Sequence, residues 1–575
     1  MRFLRNIYHT IFDTNGKFLI DSDNRLYNLY LVFFILFISC KQNQEPNETF
    51  YLAFRPNILW ITCEDMSPHL GCYGDSVART PVLDQLASEG IRYTNVYSVS
   101  GVCAPSRSAL ITGMYPTTIG SMHMRTMTRT SAIDQVTDPE LLAIPTYEAV
   151  PPPEVKCFPE YLRMAGYYCT NNSKEDYQFR APVTVWDESS NQAHWRNRKP
   201  GQPFFAVFNF TVTHESQIWT RAKDTLITDP QRVFVPPYYP DSPVIRRDIA
   251  RNYDNIALMD DMVRGVLEEL RHEGLMDSTI VFFYSDHGDG LPRSKRWIYD
   301  SGIKVPLLIR YPDLWQAGSV SRELVSFIDF APTVLSLAGI PVPDHIQGQP
   351  FAGSQKAESR KYIYAAKDRM DPAMDNRRAV RDERYKYIKN YMPERPYVQF
   401  IPYRDRMALM QELFRYERDA LLDDVHKLWF RKTKPPEELY DTWNDPYEIN
   451  NLAENPEYKQ VLERLREAHI IWEKETDDWG LIKETELIKN LWPPDGIQPT
   501  SAPPEFISTK TEKDGLVQVI VRSSTTGASI GYKINGVGPW QVYYKPIELS
   551  KSDTLIALAH RIGYKPSEVT QFIFE

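Results

Sequence analysis

Three apolar runs far apart in the chain each end in side chains able to do chemistry, and this arrangement constrains the fold more than any other feature. Ile58–Thr62 runs into Cys63, Glu64 and Asp65; Phe204–Phe210 runs into Thr211, Val212, Thr213 and His214; Ile280–Ser285 runs into Asp286, His287 and Gly288. Each run has the length and composition of a strand. Between the last two, Ile249, Tyr253, Ile256, Met259, Val263, Val266 and Leu270 recur at steps of three and four, and Gly274 follows as a stop signal. That spacing predicts an amphipathic crossover helix. Strands alternating with such helices predict a doubly wound α/β sheet, in which ligands bind beyond the carboxyl ends of the strands. The three tips are therefore expected to converge on one site.

A chain of 575 residues is too long for one compact core, so further domains are expected. The apolar run Leu29–Ile38 has the length of a signal-peptide core and about half that of a bilayer span. Residues 1–40 are taken as an export segment and the polar stretch 41–54 as a linker. Residues 55–370 carry the α/β pattern. A smaller α+β subdomain is expected over 371–492, with a strand at Val380–Tyr391 and a helix-rich stretch around Arg404–Trp429. Residues 493–505, rich in Pro, Ser and Thr, read as a second linker. Over 506–575, short alternating runs at Val517–Val521, Ile530–Ile534, Trp540–Tyr544 and Thr554–Ala559, with a turn signal at Asn535–Gly536, predict a small β-sandwich. It resembles the fibronectin-like module at the C-terminus of some chitobiase and hexosaminidase chains, and it has no catalytic cluster, so an accessory role is expected.

Phe37–Ile38–Ser39–Cys40 resembles a bacterial lipobox. The resemblance implies a lipid anchor at Cys40 and an exported protein, periplasmic or anchored to the outer membrane of a bacterium, with a plain cleaved signal as the alternative. The lead before the apolar run is long and includes Asp13, Asp21 and Asp23, so translation is expected to start further in than Met1. A formal net charge of -9 argues against nucleic acid or an acidic membrane as partner, since both demand a basic face. An anionic substrate must then meet locally placed cations. Of six cysteines, Cys63, Cys72, Cys157 and Cys169 are left for pairing once Cys40 and Cys103 are assigned other roles, and their spacings match no metal knuckle.

The sharpest motif is Cys103–Ala104–Pro105–Ser106–Arg107, followed by Leu110–Ile111–Thr112–Gly113. It resembles the signature of the formylglycine-dependent sulfatases, C-x-P-S-R with a downstream T-G. The resemblance runs from Arg55–Pro56–Asn57–Ile58 to Glu438–Leu439–Tyr440–Asp441, Asn444–Asp445–Pro446–Tyr447–Glu448 and Asn450–Asn451–Leu452–Ala453. It implies an alkaline-phosphatase-like fold, a large mixed sheet flanked by helices with a smaller C-terminal subdomain. It also implies a sulfuric ester hydrolase whose Cys103 is oxidised to formylglycine (3-oxoalanine) by a formylglycine-generating or anaerobic sulfatase-maturating enzyme.

The same resemblance implies one calcium ion held by Glu64, Asp65, Asp286 and His287, with the converted Cys103 completing the shell; oxygen-rich ligation suits calcium. Two positions depart from the pattern. Glu64 replaces the more usual Asp, and His287 stands where Asn is common. Arg107 is expected to support the converted side chain, Lys174 and Lys295 to grip sulfate, and His214 to act as general acid. Where many relatives carry a second histidine two positions after the first lysine, this chain has Asp176, so a carboxylate or another base is expected in the second half of the reaction. His123 is a candidate to line the pocket, with a structural histidine as the equal alternative. The acidic pair Glu64–Asp65, taken alone, would also fit a helix cap.

Glu64–Asp65–Met66–Ser67–Pro68 and Gly71–Cys72–Tyr73–Gly74–Asp75 resemble bacterial heparan N-sulfatase-like chains. The resemblance implies a sulfated oligosaccharide or polysaccharide as substrate, with O- and N-linked sulfate both open. Two rival functions stand beside it: a phosphoester or phosphonate hydrolase of the same superfamily, and a non-catalytic sulfated-glycan-binding protein.

Overall fold

The computed structural model describes residues 55–129, 133–510 and 515–574. The export segment, Cys40 and the linker 41–54 lie outside the described residues.

The core is an eight-stranded sheet of β1 (Asn57–Cys63), β2 (Ile91–Tyr97), β3 (Tyr168–Asn172), β4 (Glu188–Ser189), β5 (Phe204–Phe210), β6 (Thr279–Ser285), β7 (Lys304–Arg310) and β8 (Ser319–Ser326). Their order is β4-β3-β5-β1-β6-β7-β2-β8. The sheet is mixed, because β7 runs antiparallel to both β6 and β2. The three strands marked by their polar tips are neighbours. β1 lies parallel between β5 and β6, in a register that sets Cys63 opposite both Phe210 and Ser285. The three chains therefore leave the sheet at one edge, side by side.

These strands are apolar at almost every position because both faces are covered. Ile58, Trp60, Phe205, Val207, Ile280, Phe282 and Tyr284 face one core, shared with the helices Cys103–Thr112 and Phe330–Leu337. Leu59, Ile61, Phe204, Ala206, Phe208, Val281 and Phe283 face the other, closed by the helix Pro243–His272 through Ile256, Met259, Val263, Val266 and Leu270. That helix starts before its periodic residues, where the Ser242 side chain accepts from Ile245 N and Pro243 takes the first turn. It stops at Gly274, whose positive φ of 68° turns the chain back so that Leu275 N reaches Leu270 O.

The smaller subdomain is an antiparallel sheet of β9 (Ile363–Lys367), β10 (Arg377–Arg381), β11 (Tyr385–Asn390) and β12 (Glu437–Asp441), covered by the helix Lys459–Thr476. Its first strand precedes residue 371. The segment Val380–Tyr391, expected as one strand, is a hairpin. Asp382 breaks it: its side chain accepts from Arg384 N and Tyr385 N, a local bond that competes with the ladder.

The C-terminal strands form two packed antiparallel sheets around Val517, Val519, Val521, Leu549, Leu555 and Ala557. One contains β13 (Glu505–Lys510), β14 (Leu516–Arg522) and β17 (Ile547–Ser550); the other, β15 (Ser529–Ile534), β16 (Gln541–Val542), β18 (Thr554–His560) and β19 (Thr570–Ile573). The run Trp540–Tyr544 supplies only the two-residue β16. Strands β13, β17 and β19 have no counterpart among the runs picked out by alternation. The sandwich is tied to the rest of the fold by Lys156 Nζ to Ser529 Oγ at 2.9 Å and Trp492 Nε1 to Gly563 O at 3.0 Å. The five described cysteines are all free thiols.

Trp60, at the centre of β1, packs its ring against Phe158, Phe205, Phe282, Tyr284 and Phe330, with centroids 5.1 to 6.1 Å away. Trp60→Ala is expected to cost about 3–5 kcal/mol, read as a lowered denaturant midpoint with unchanged slope.

Candidate active site

The motif around Cys103 is the two ends of one helix. Cys103 is the first residue of Cys103–Thr112, every residue of which is buried. Ser106 donates its hydroxyl toward Val102 O at 2.8 Å and Ser100 O at 2.9 Å, knitting the turn that presents Cys103. At the other end Gly113, with φ of 71°, caps the helix through its N–H to Ala109 O. The approach is equally tight: a Cβ on Gly101 would lie 2.1 Å from Trp297 O, and Gly101 O accepts from Arg296 N at 2.6 Å. Only glycine lets the chain before Cys103 lie this close to the loop that carries Lys295. The helix N-terminus also places partial positive charge beside residue 103.

The strand tips bring their polar residues to this helix end. Asp65 holds a positive φ of 53°, and its N–H donates to Asp286 Oδ1 at 3.2 Å, locking the β1 tip to the β6 tip. His287 Nε2 lies 3.0 Å from Asp65 Oδ1 and 3.5 Å from Cys103 Sγ, and its Nδ1 bonds Gly288 O at 3.0 Å. Possible donor atoms of Cys103, Asp286 and His287 lie within 4.8 Å of one another, and so do those of Asp65, Cys103 and His214. Arg107, one turn after Cys103, donates to Asp286 Oδ2 at 3.0 Å and Asn209 Oδ1 at 2.7 Å, and lies 3.7 Å from Glu64. It thus braces all three tips.

Both lysines reach the same cluster. Lys295 Nζ sits 2.6 and 2.8 Å from the two oxygens of Asp65 and 3.2 Å from Glu215. Lys174 pairs with Glu64 and lies 3.7 Å from Asp176, another residue with positive φ. Burial opposes ionisation of Asp65, but Lys295, His214 and His287 outweigh it and hold its carboxyl well below the usual range. Burial alone would lower His287, yet Asp286 and Asp65 push it up to about 10. The centre therefore draws positive charge strongly. Asp65 and Asp286, fully buried, supply the carboxylate oxygens of the two donor groups around Cys103, a donor chemistry that fits a hard divalent cation; Glu64, expected beside them as a ligand, falls in neither group and pairs with Lys174.

His214 stands on the first turn after β5. Ser216 N donates to its Nδ1 at 3.3 Å and Ser216 Oγ lies 2.8 Å away, so Nε2 is the nitrogen that carries the proton in the neutral ring. Burial, with Lys295 beside it, lowers its pKa. A lowered pKa favours the neutral ring and makes the imidazolium, when formed, the stronger acid.

Two members of the site escaped sequence reasoning. Asn209 is the single amide in the run Phe204–Phe210, and that break in apolarity was its signal. Glu215 follows His214 and takes both Arg296 guanidinium nitrogens, at 2.6 and 3.0 Å, while its N–H donates to Asp65 Oδ2 at 2.7 Å. Its partners lie in a loop eighty residues on, which no local pattern discloses. His123 engages other groups: its Nδ1 accepts from Arg369 N at 3.3 Å, and its Nε2 lies 4.0 Å from Glu484.

The Sulfatase family matches residues 56–197 and 169–340, and the family described as N-sulphoglucosamine sulphohydrolase, C-terminal, matches 292–414. An ulvan-active sulfatase of Formosa agariphila is 43 % identical, over 96 % of this chain and 98 % of its own length. The human N-sulphoglucosamine sulphohydrolase is 26 % identical over 76 % of this chain and 94 % of its own. Among solved structures, the phosphonate monoester hydrolase of Agrobacterium radiobacter superposes with a TM-score of 0.52 at 18 % identity, over 74 % of this chain and 97 % of that one, a likeness of fold.

Burial lowers His123 from its ordinary 6.5 to about 4, against the pull of Glu484. A histidine held neutral by folding adds stability that is complete above the unfolded value and is lost as pH falls toward the folded one. The expected outcome is that His123→Gln flattens the fall in stability between pH 6.5 and 4 by roughly 3 kcal/mol, measured by urea unfolding of both proteins across that range.

Proposed function

The chain belongs to the sulfatase family, and from that premise we propose that it desulfates a polysaccharide of the ulvan kind, with residue 103 as formylglycine and one calcium ion. It is a sulfuric ester hydrolase, and its substrates are sulfated glycans. The observation that carries the finer reading is the convergence of Cys103, three buried carboxylates and three cations at one end of the sheet, together with the 43 % identical ulvan-active relative.

Calcium, held by Glu64, Asp65, Asp286 and His287, would supply a Lewis acid for the sulfate oxygens. A formylglycine at residue 103, installed by a maturating enzyme, would supply the hydrated aldehyde as nucleophile. The remaining work falls to the chain's own side chains. Lys174, paired with Glu64, and Lys295, paired with Asp65, present ammonium groups that neutralise sulfate oxygens as charge shifts onto them. Arg107 fixes Asp286 and the strand tips, so that none of this charge has to be reorganised during reaction. His214 delivers a proton from Nε2 to the oxygen or nitrogen that leaves with the sugar. Asp176, beside Lys174, offers a carboxylate where many relatives have a second histidine.

The ten-residue apolar run and Cys40 support export, with anchorage by a lipid on Cys40. An exported enzyme with an accessory sandwich suits glycan breakdown outside the cytoplasm.

Conversion of Cys103 lowers the mass of its peptide by the difference between a thiol and an aldehyde, and mass spectrometry of protein from the native host is expected to find it. A fully unconverted thiol would favour a binding protein instead. Sulfate release from ulvan oligosaccharides, followed by ion chromatography, is expected to fall about 10²–10³-fold in Lys295→Ala and to be lost in Cys103→Ala. Faster turnover of aryl phosphate than of aryl sulfate would move the chain to the phosphoester hydrolases.

A further inference from the structure

The smaller subdomain contributes a group to the reaction site that neither the Cys103 motif nor the strand tips announce. Tyr403 lies in the loop before the helix Ala408–Arg418, and its ring centroid is 6.0 Å from that of His214. Trp219, one turn beyond His214, meets the same ring edge to face at 5.2 Å. Both aromatic side chains are half-buried, so each keeps an open portion. The loop is held firmly. Arg404, buried to 2 % exposure, makes a two-pronged pair with Asp405 at 2.7 and 2.9 Å and donates to Gln399 O, while Ile401 N donates to Asp405 Oδ2 at 3.2 Å. The position of Tyr403 is thereby set by charge-assisted bonds.

His214 has one side turned to the reacting centre, within 4.8 Å of the donor atoms of Asp65 and Cys103, and Tyr403 beside it. A group that takes its proton from His214 comes within hydrogen-bond reach of that ring, against which Tyr403 packs. In a sulfated glycan that group is the sugar oxygen or nitrogen released from sulfur, so Tyr403 is an aromatic side chain neighbouring the sugar that bears it. Sugar rings carry an apolar C–H face, and an aromatic face is its natural complement. Arg406 adds charge. It is exposed, its guanidinium lies 5.9 Å from the centre of the Tyr403 ring, and among the described residues it has no carboxylate partner.

We propose that Tyr403, supported by Trp219, forms the stacking wall for the sugar that leaves with the cleaved oxygen or nitrogen, and that Arg406 recognises an anionic substituent on that sugar or the next. The ligand class is an acidic pyranose oligosaccharide, carrying a carboxylate or a further sulfate. This rests on the sulfatase reading above and adds to it the residues that select the glycan. Tyr403 is a specificity residue with no part in the bond-making step.

The test compares kcat and KM for a sulfated, uronate-containing oligosaccharide and for a short-chain alkyl sulfate, which brings no ring to stack, in the full-length converted enzyme. Tyr403→Ala is expected to lower the ratio of the two kcat/KM values about fivefold to tenfold, through a higher KM for the oligosaccharide. Tyr403→Phe, which keeps the face and the packing, is expected to stay near the wild-type ratio. Arg406→Ala is expected to raise KM for the uronate substrate more than for its carboxyl-reduced counterpart. An unchanged ratio in Tyr403→Ala, or an equal loss on both substrates, would overturn the proposal, the second because it marks a structural role. Wild-type enzyme that releases no sulfate from any oligosaccharide would instead remove the sulfatase reading on which the proposal stands.

Discussion

Three carboxylates buried at the end of one sheet must be matched by positive charge, and the rest of the architecture serves that requirement. An unpaired buried carboxylate costs several kcal/mol. Glu64, Asp65 and Asp286 avoid that cost because Lys174, Lys295 and Arg107 reach them from three separate segments. His287, 3.0 Å from Asp65 and 3.7 Å from Asp286, adds a fourth cationic position: burial opposes its charge, but the two carboxylates push it up to about 10. A centre that demands this much positive charge is suited to a divalent cation and to a sulfate whose oxygens need neutralising at the same moment.

The sheet supplies the rigidity. Because β1 lies between β5 and β6 in parallel register, with both faces packed, its tip cannot shift without disturbing two cores. The helix that begins at Cys103 is anchored by the same packing, and Gly101 lets its approach press against the loop of Lys295. Arg107 then joins helix and strands by bonds to Asp286 and Asn209. Residue 103, the carboxylates and the cations are held relative to one another by these bonds and this packing, which is the condition for electrostatic catalysis. Tyr403, from the loop before the helix Ala408–Arg418, packs against His214 and is pinned by Arg404 and Asp405.

Much of this was legible in local patterns. The helix Pro243–His272 was legible in its three-four spacing, whereas the runs of β1, β5 and β6, buried on both faces and so without alternation, were legible in their short length and their β-branched and aromatic content. Short or amphipathic edge elements were less visible. The hairpin of β10 and β11 passed as one strand because its turn, Asp382–Glu383–Arg384, contains neither Gly nor Pro. Strands β13, β17 and β19 were missed because alternation over four to six residues is weak when one face is exposed.

The sequence by itself determined the chemistry on offer: a cysteine in a sulfatase-like motif, acidic pairs after strands, lysines in loops and a histidine after β5. These are local properties, written in residue type and spacing. Tertiary structure alone decided which charges meet. Arg107 with Asp286, Lys295 with Asp65, Arg296 with Glu215 and Tyr403 with His214 are pairs set by strand order and loop path, and the chain between them carries no periodic trace of the contact. Coulomb attraction and ring packing depend on distance in space, and distance along the chain does not encode it.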